Sequence, residues 1–94
     1  MEPVVSDNPA KHRFEISVGD TAAGFAAYRL EPGRVVFTHT EVDPSFEGQG
    51  LGSKLAAGAL AAVREQGLSI VPLCPFIAAY VRRHPEYQDL VAPA

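Results

Sequence analysis

From Arg13 the chain alternates: Phe14, Ile16 and Val18 fall on one side and Arg13, Glu15 and Ser17 on the other, the period of a half-buried strand. Gly19-Asp20 closes it as a turn. Thr21 to Leu30 is richer in alanine, but Phe25, Ala27, Tyr28 and Leu30 fit a second strand, ended by the turn residues Glu31-Pro32-Gly33. Arg34 to Val42 predicts a third strand, with the β-branched residues Val35, Val36, Thr38, Thr40 and Val42. After Asp43-Pro44 the period changes. From about Gly50 to Gln66 leucines and alanines dominate, and Leu51, Leu55, Ala59, Ala62 and Val63 recur on one helical face. Gly67 stands where a helix-ending glycine belongs. Leu68 to Leu73 is a short apolar run, fit for a covered strand parallel to the third. Pro75 opens a second helix with Phe76, Ile77, Tyr80 and Val81 on its inner face, Arg82, Arg83 and His84 at its end, and Pro85 as its stop. The first twelve residues, Met1 to His12, hold Pro3, Asp7, Asn8 and Pro9 without a period and are expected as a flexible lead-in to one domain spanning 13–94.

The order strand, strand, strand, helix, strand, helix predicts an α/β (α+β) fold. A three-stranded antiparallel meander leads into one parallel β-α-β crossover and a C-terminal helix, all on a small mixed sheet. Ninety-four residues suffice for one core and not for two domains. With 47 % hydrophobic and 20 % charged residues, the chain is too apolar to be disordered. A single cysteine, Cys74, excludes an internal disulfide, and net charge −3 without a basic run argues against nucleic acid. No stretch has the length of a membrane span, and no signal peptide is visible, so a cytoplasmic protein without membrane or nucleic-acid partners is expected. No metal-ligand spacing occurs.

The turn Gly48-Gln49-Gly50-Leu51-Gly52-Ser53 lies between a strand and a helix N-terminus. There unpaired N–H groups and the helix dipole favour an anion, and glycine lets backbone approach it closely. A tight strand-to-helix turn needing glycine for geometry alone is the alternative. A Walker A loop is excluded because Ser53 precedes Lys54 and the glycine spacing differs. A dinucleotide site is excluded because Ser69 to Leu73 offers no acid.

Cys74 falls at the start of the last helix, where a dipole lowers a thiol's pKa; simple burial is the other reading. His39 and Glu41, two apart on one strand, share a face and can take an amine's proton, or form a solvated face. His84, before a proline, is expected to cap its helix.

The run Val42-Asp43-Pro44-Ser45-Phe46-Glu47-Gly48-Gln49-Gly50-Leu51-Gly52-Ser53-Lys54-Leu55 resembles the acetyl-CoA-binding motif of the GNAT superfamily of N-acetyltransferases, which reads Gln/Arg-x-x-Gly-x-Gly/Ala. Gly50 and Gly52 match its small positions, while Glu47 stands where Gln or Arg is usual. Together with His39-Thr40-Glu41-Val42 and Cys74-Pro75-Phe76…Tyr80…His84-Pro85-Glu86-Tyr87, the chain is similar to a short branch of that superfamily from Phe14 to Leu90. The resemblance implies a minimal GNAT fold and transfer of acetyl from acetyl-CoA to a primary amine acceptor. It implies cofactor contacts at Thr40, Val42, Glu47, Gly48, Gln49, Gly50, Leu51, Gly52, Ser53 and Lys54. It also implies a thioester held between the splayed strands Phe37–Val42 and Ser69–Leu73. In the short branch a cysteine equivalent to Cys74 has been proposed as catalytic, and Tyr80 falls near a tyrosine that protonates the departing thiolate. With His39 and Glu41, these form the expected catalytic set. A non-catalytic module that binds coenzyme A is the rival reading, and a redox sensor built on Cys74 a third. The small sheet has edges that can pair between subunits, so a monomer or weak homodimer is expected.

Overall fold

A computed structural model describes residues 2–93. The alternating segments become strands β2 (Arg13–Val18), β3 (Thr21–Glu31) and β4 (Arg34–Val42), and the Ala-rich segment becomes helix α1 (Leu51–Glu65). The apolar run becomes β5 (Ser69–Pro72), followed by helix α2 (Pro75–Arg83). One further strand, β1, spans Pro3–Asn8. The mixed α+β fold with its meander and single crossover is as expected. Five strands lie in the order β1-β2-β3-β4-β5, antiparallel throughout except for the parallel β4–β5 pair. The accessible surface, 5559 Å², is close to the roughly 5,200 Å² expected for one folded domain of this mass.

The expected lead-in is corrected by β1, which pairs residue for residue with β2 from Pro3↔Val18 to Asn8↔Arg13. (Met1 and Ala94, at the ends of the lead-in and of the domain, lie outside the described residues.) The period is hidden because β1 is an edge strand: Val5 is half-buried while Val4 stays exposed, and proline is tolerated where no ladder hydrogen bond is needed. What holds β1 is a glycine in the middle of α1. A Cβ at Gly58 would come within 2.7 Å of the Val5 Cβ, so only glycine lets the helix lie this close to the strand.

The core lies between α1 and the near face of the sheet. Leu55, Leu60 and Val63 of α1 pack on Phe14, Ile16 and Phe37, with Ile77 and Val81 of α2 completing the cluster. The Gly67 turn ends α1 as expected: Gly67 has φ +71°, and the Leu68 N–H reaches back to the Val63 carbonyl at 3.2 Å. After Pro85 the chain does not simply leave. A 3-10 helix, Pro85–Leu90, is tied to α1 by Arg64, which donates to both Asp89 carboxylate oxygens at 2.9 Å. Val91 then bridges to Ile70 in parallel and covers part of the outer edge of β5. Two sequence expectations fail here. Leu73 and Phe76 are 60 % and 41 % exposed rather than covered, because the chain turns out of β5 at Pro72 and rotates the start of α2 away from the core.

This packing has two measurable consequences. Gly58→Ala should lower stability by about 1–2 kcal/mol although alanine favours an isolated helix by about 1 kcal/mol; a rise in melting temperature would show that β1 is not seated on α1. Tyr28 is buried and its hydroxyl donates to Asp7 at 2.6 Å; burial first, then the Asp7 carboxylate, push its pKa well above the ordinary tyrosine value. The unfolded phenol loses its proton near pH ~10 while the folded one keeps it, so above that pH the unfolded state binds fewer protons and stability falls as pH rises. Denaturant titrations from about pH 8 to about pH 11 should show this decline, and Tyr28→Phe should flatten it.

Candidate functional site

The parallel ladder between β4 and β5 is short. It runs from Arg34↔Ser69 to Phe37↔Pro72 and ends with the Cys74 N–H donating to the Phe37 carbonyl at 2.9 Å. The Leu73 N–H, next in phase with that of Ser69, turns back to the Val71 carbonyl at 3.1 Å instead of reaching β4, and Pro75 commits the chain to α2. Thr38 to Val42 of β4 therefore keep β3 on one side and have no strand on the other. This is the splay that the sequence resemblance implied.

A bulge decides which side chains face the splay. Ala27 lies opposite His39 and Tyr28 opposite Phe37, so Thr38 is the extra residue, its hydroxyl donating to the Ala27 carbonyl at 3.4 Å. Strict alternation would put His39 on the face of Phe37; the extra residue puts Thr40 there instead. Thr40 Oγ1 lies 3.2 Å from Cys74 Sγ, and the thiol is only 2 % exposed. Cys74 is the N-cap residue of α2, with φ −68° and ψ 124°, but its side chain leaves the helix amides free and turns to Thr40.

His39 and Glu41 share a face, as expected, but it is the far face of the sheet. His39 Nε2 lies 3.3 Å from Glu41 Oε1, both side chains are 60 % exposed, and the imidazole lies 6.1 Å from the Phe25 ring. Beside them is a cavity of about 480 Å³ bordered by Arg13, Glu15, Phe25, Glu41 and Asp43. The Arg13 guanidinium is 4.7 Å above the Phe25 ring and its Nε donates to Glu15 at 2.8 Å, which holds the Glu15 carboxyl below its usual range. Tyr80 is stacked on His84 at 3.9 Å and lies 5.9 Å from Tyr87. Burial raises its pKa, and the charges of Tyr87 and Glu86 raise it further. His84 Nδ1–H donates to the Tyr80 carbonyl at 2.8 Å, the cap expected of it. The four proposed catalytic residues thus divide: Cys74 faces the splay with Thr40, His39 and Glu41 lie across the sheet, and Tyr80 sits along α2.

The glycine turn is exposed from Glu47 to Gly50, and Leu51 anchors it in the core. Asp43 starts the approach, accepting from the Ser45 N–H at 2.9 Å and Ser45 hydroxyl at 2.8 Å, which holds its carboxyl below the usual range. Gly48 and Gly50 have φ +86° and +71°, with no atom within 4 Å of where a Cβ would stand. The first α1 hydrogen bond is Lys54 N–H to Gly50 O at 3.2 Å. Among the described residues, nothing accepts from the amides of Gly48, Gly50, Leu51, Gly52 and Ser53. The Glu47 and Gln49 amides are already bonded to the Pro44 and Phe46 carbonyls, and the Glu47 side chain is an acceptor. No acid occupies the first turn of α1, whereas Lys54 does lie there, a placement that the dipole disfavours unless an anion is nearby. The open space at both glycines and the free amides fit a diphosphate. Gly52 has another reason: a Cβ there would meet the Phe76 ring at 2.8 Å. Neither Phe76 nor the Thr40–Cys74 contact was legible, because each depends on elements brought together by the crossover.

The geometry has counterparts among known proteins. A family model described as GCN5-related N-acetyl-transferase matches residues 13–90. The solution structure of a GCN5-like candidate N-acetyltransferase from Staphylococcus aureus superimposes with a TM-score of 0.72, at 25 % identity over 97 % of this chain and 89 % of that one. No curated protein sequence matches the chain. Among the described residues, no helix is long and apolar enough to cross a membrane, and no group of three metal-binding side chains occurs.

A charge placed at the turn separates anion binding from turn geometry. Ser53→Asp puts a carboxylate at the third residue of α1, where the dipole favours it by about 0.3–1 kcal/mol. The variant should melt no lower than the parent yet bind inorganic diphosphate about tenfold more weakly by calorimetry. Undiminished binding would assign the glycines to geometry alone.

Proposed function

The chain belongs to the GCN5-related N-acetyltransferase family, and from that premise we propose that it transfers an acetyl group from acetyl-CoA to a primary amine. The observation that carries this reading is the release of β4 from β5 after Phe37, together with a helix N-terminus whose first amides have no acceptor among the described residues. On this reading the amides of Gly48, Gly50, Leu51, Gly52 and Ser53 hold the donor's diphosphate, and Lys54 adds positive charge. The unpaired edge of β4 at Thr40 and Val42 takes the amide-bearing arm. Glu47 and Gln49 shape the turn, since their own amides are engaged within it. Acetyl-CoA supplies an activated carbonyl; the protein supplies position, proton acceptors and exclusion of water.

The amine approaches from the far face, through the cavity beside Glu41. Glu15, Glu41 and Asp43 against Arg13 favour a cation there. Only a neutral amine attacks, so a proton must leave first; Glu41 takes it and His39, 3.3 Å away and open to solvent, passes it on. Cys74 is the nucleophile nearest the end of the ladder. In a relay its thiol would give up a proton, which through solvent replaces the one that Tyr80 gives to the carrier, while the sulfur bonds to the acetyl carbon and the bond to the carrier's sulfur breaks. The carrier leaves as a thiol, with its proton from Tyr80. The Tyr80 phenol stays protonated at neutral pH because burial disfavours its anion, and among the described residues nothing accepts from its hydroxyl. The amine then takes the acetyl group from sulfur and the thiol is restored.

The test is to mix the protein with acetyl-CoA and a panel of primary amines, following free thiol and acetylated product. Turnover of at least one amine is expected; tight binding without product would assign the chain to the rival class of carrier-binding modules. Cys74→Ala should lower turnover about tenfold or more with CoA affinity unchanged, and the one-acetyl mass increase of the parent should vanish. Undiminished turnover would mean that the amine attacks the thioester directly.

A further inference from the structure

Three glycines punctuate the turn, and only two are explained by their own backbone. Gly48 and Gly50 have positive φ; Gly52 does not, and the neighbour that requires its missing side chain is Phe76. The ring's far edge is the contact: a Cβ at Gly52 would stand 2.8 Å from Cζ and 3.4 and 3.5 Å from the two Cε atoms. Phe76 thus reaches from the first turn of α2 to the first turn of α1. Two residues before it is Cys74, buried against Thr40 where the ladder ends. The ring thus touches the residue that bears one of the free amides and is carried by the same helix start as the thiol.

Phe76 is nevertheless 41 % exposed, and Leu73, on the other side of Cys74 in sequence, is 60 % exposed. Of the five large apolar side chains left exposed among the described residues, two flank this cysteine in sequence. Isolated exposed apolar residues need no explanation; an exposed ring two residues from a buried thiol that also touches the glycine turn is apolar surface where a ligand joining those two points would pass.

We propose that Phe76 is a positioning residue for the cofactor, its ring forming the apolar wall against which the pantetheine arm of coenzyme A lies between the glycine turn and Cys74. This rests on the acetyl-CoA reading above and adds to it a residue outside the glycine motif. It also assigns Gly52 a purpose: its missing side chain leaves room for the far edge of the ring. The ring contributes only to the arm and not to the diphosphate.

Coenzyme A and ADP separate the two contributions, because ADP carries the diphosphate and lacks the arm. Their affinities for the parent, Phe76→Ala and Phe76→Leu are read by amide chemical-shift titration, which reaches into the millimolar range. Phe76→Ala should bind coenzyme A about tenfold more weakly and ADP as the parent does, and Phe76→Leu should restore most of the loss. Equal coenzyme A affinity in the parent and Phe76→Ala overturns the proposal and leaves the acetyltransferase reading intact. So does an equal loss for coenzyme A and ADP, since the ring would then only prop the turn. A parent chain that binds neither ligand overturns both. Should Phe76→Ala fail to fold, Phe76→Gln carries the test, keeping bulk while removing the apolar ring: it should lose coenzyme A affinity and keep that for ADP, and undiminished coenzyme A affinity overturns the proposal.

Discussion

One hydrogen bond marks the limit on which the site depends: Cys74 N–H to the Phe37 carbonyl, the last link between β4 and the chain that follows β5. Backbone groups within a sheet are normally paired on both edges, and an unpaired stretch is a place where another chain or a ligand can bind. Here the sheet stops pairing because the chain turns. The Leu73 amide bonds back to the Val71 carbonyl at 3.1 Å, and Pro75, at the first position of α2, turns the chain from extended to helical within three residues. The open edge from Thr38 to Val42 follows from that local turn. The nearest free amides of α1 lie alongside because the same crossover that makes β5 parallel must return the helix over this end of the sheet.

The three glycines of the turn look alike in sequence and have different physical grounds. Gly48 and Gly50 hold left-handed backbone in open space, whereas Gly52 makes room for a ring from another helix. Gly58, farther along the same helix, does for β1 what Gly52 does for Phe76. In both cases the missing side chain costs helix propensity and permits a contact that a methyl group would prevent.

The division of chemistry between two sheet faces is set by the bulge at Thr38. Thr40 and Cys74 meet on the helix side, and His39 and Glu41 pair on the other, where Glu41 borders the cavity. Tyr80, stacked in an aromatic cluster with His84 and Tyr87, holds its phenolic proton through burial and neighbouring charge.

Much of this was written in local pattern. Alternation marked β2 and β-branched residues marked β4 to the residue, alanine and leucine spacing marked α1, and Gly67 and Pro75 marked helix ends, because each signal acts within a few residues of itself. The glycine turn was legible for the same reason, as a strand running into a helix with no side chain in the way. Tertiary structure alone decided the rest. β1 is a strand only because β2 and Gly58 accept it, and Phe76 belongs to the site only because the crossover brings Gly52 beneath its ring. Thr40 rather than His39 meets the thiol because one unpaired residue reverses the alternation. Contacts between segments distant along the chain depend on register and close approach, and these are fixed by the partner surface rather than by either segment alone.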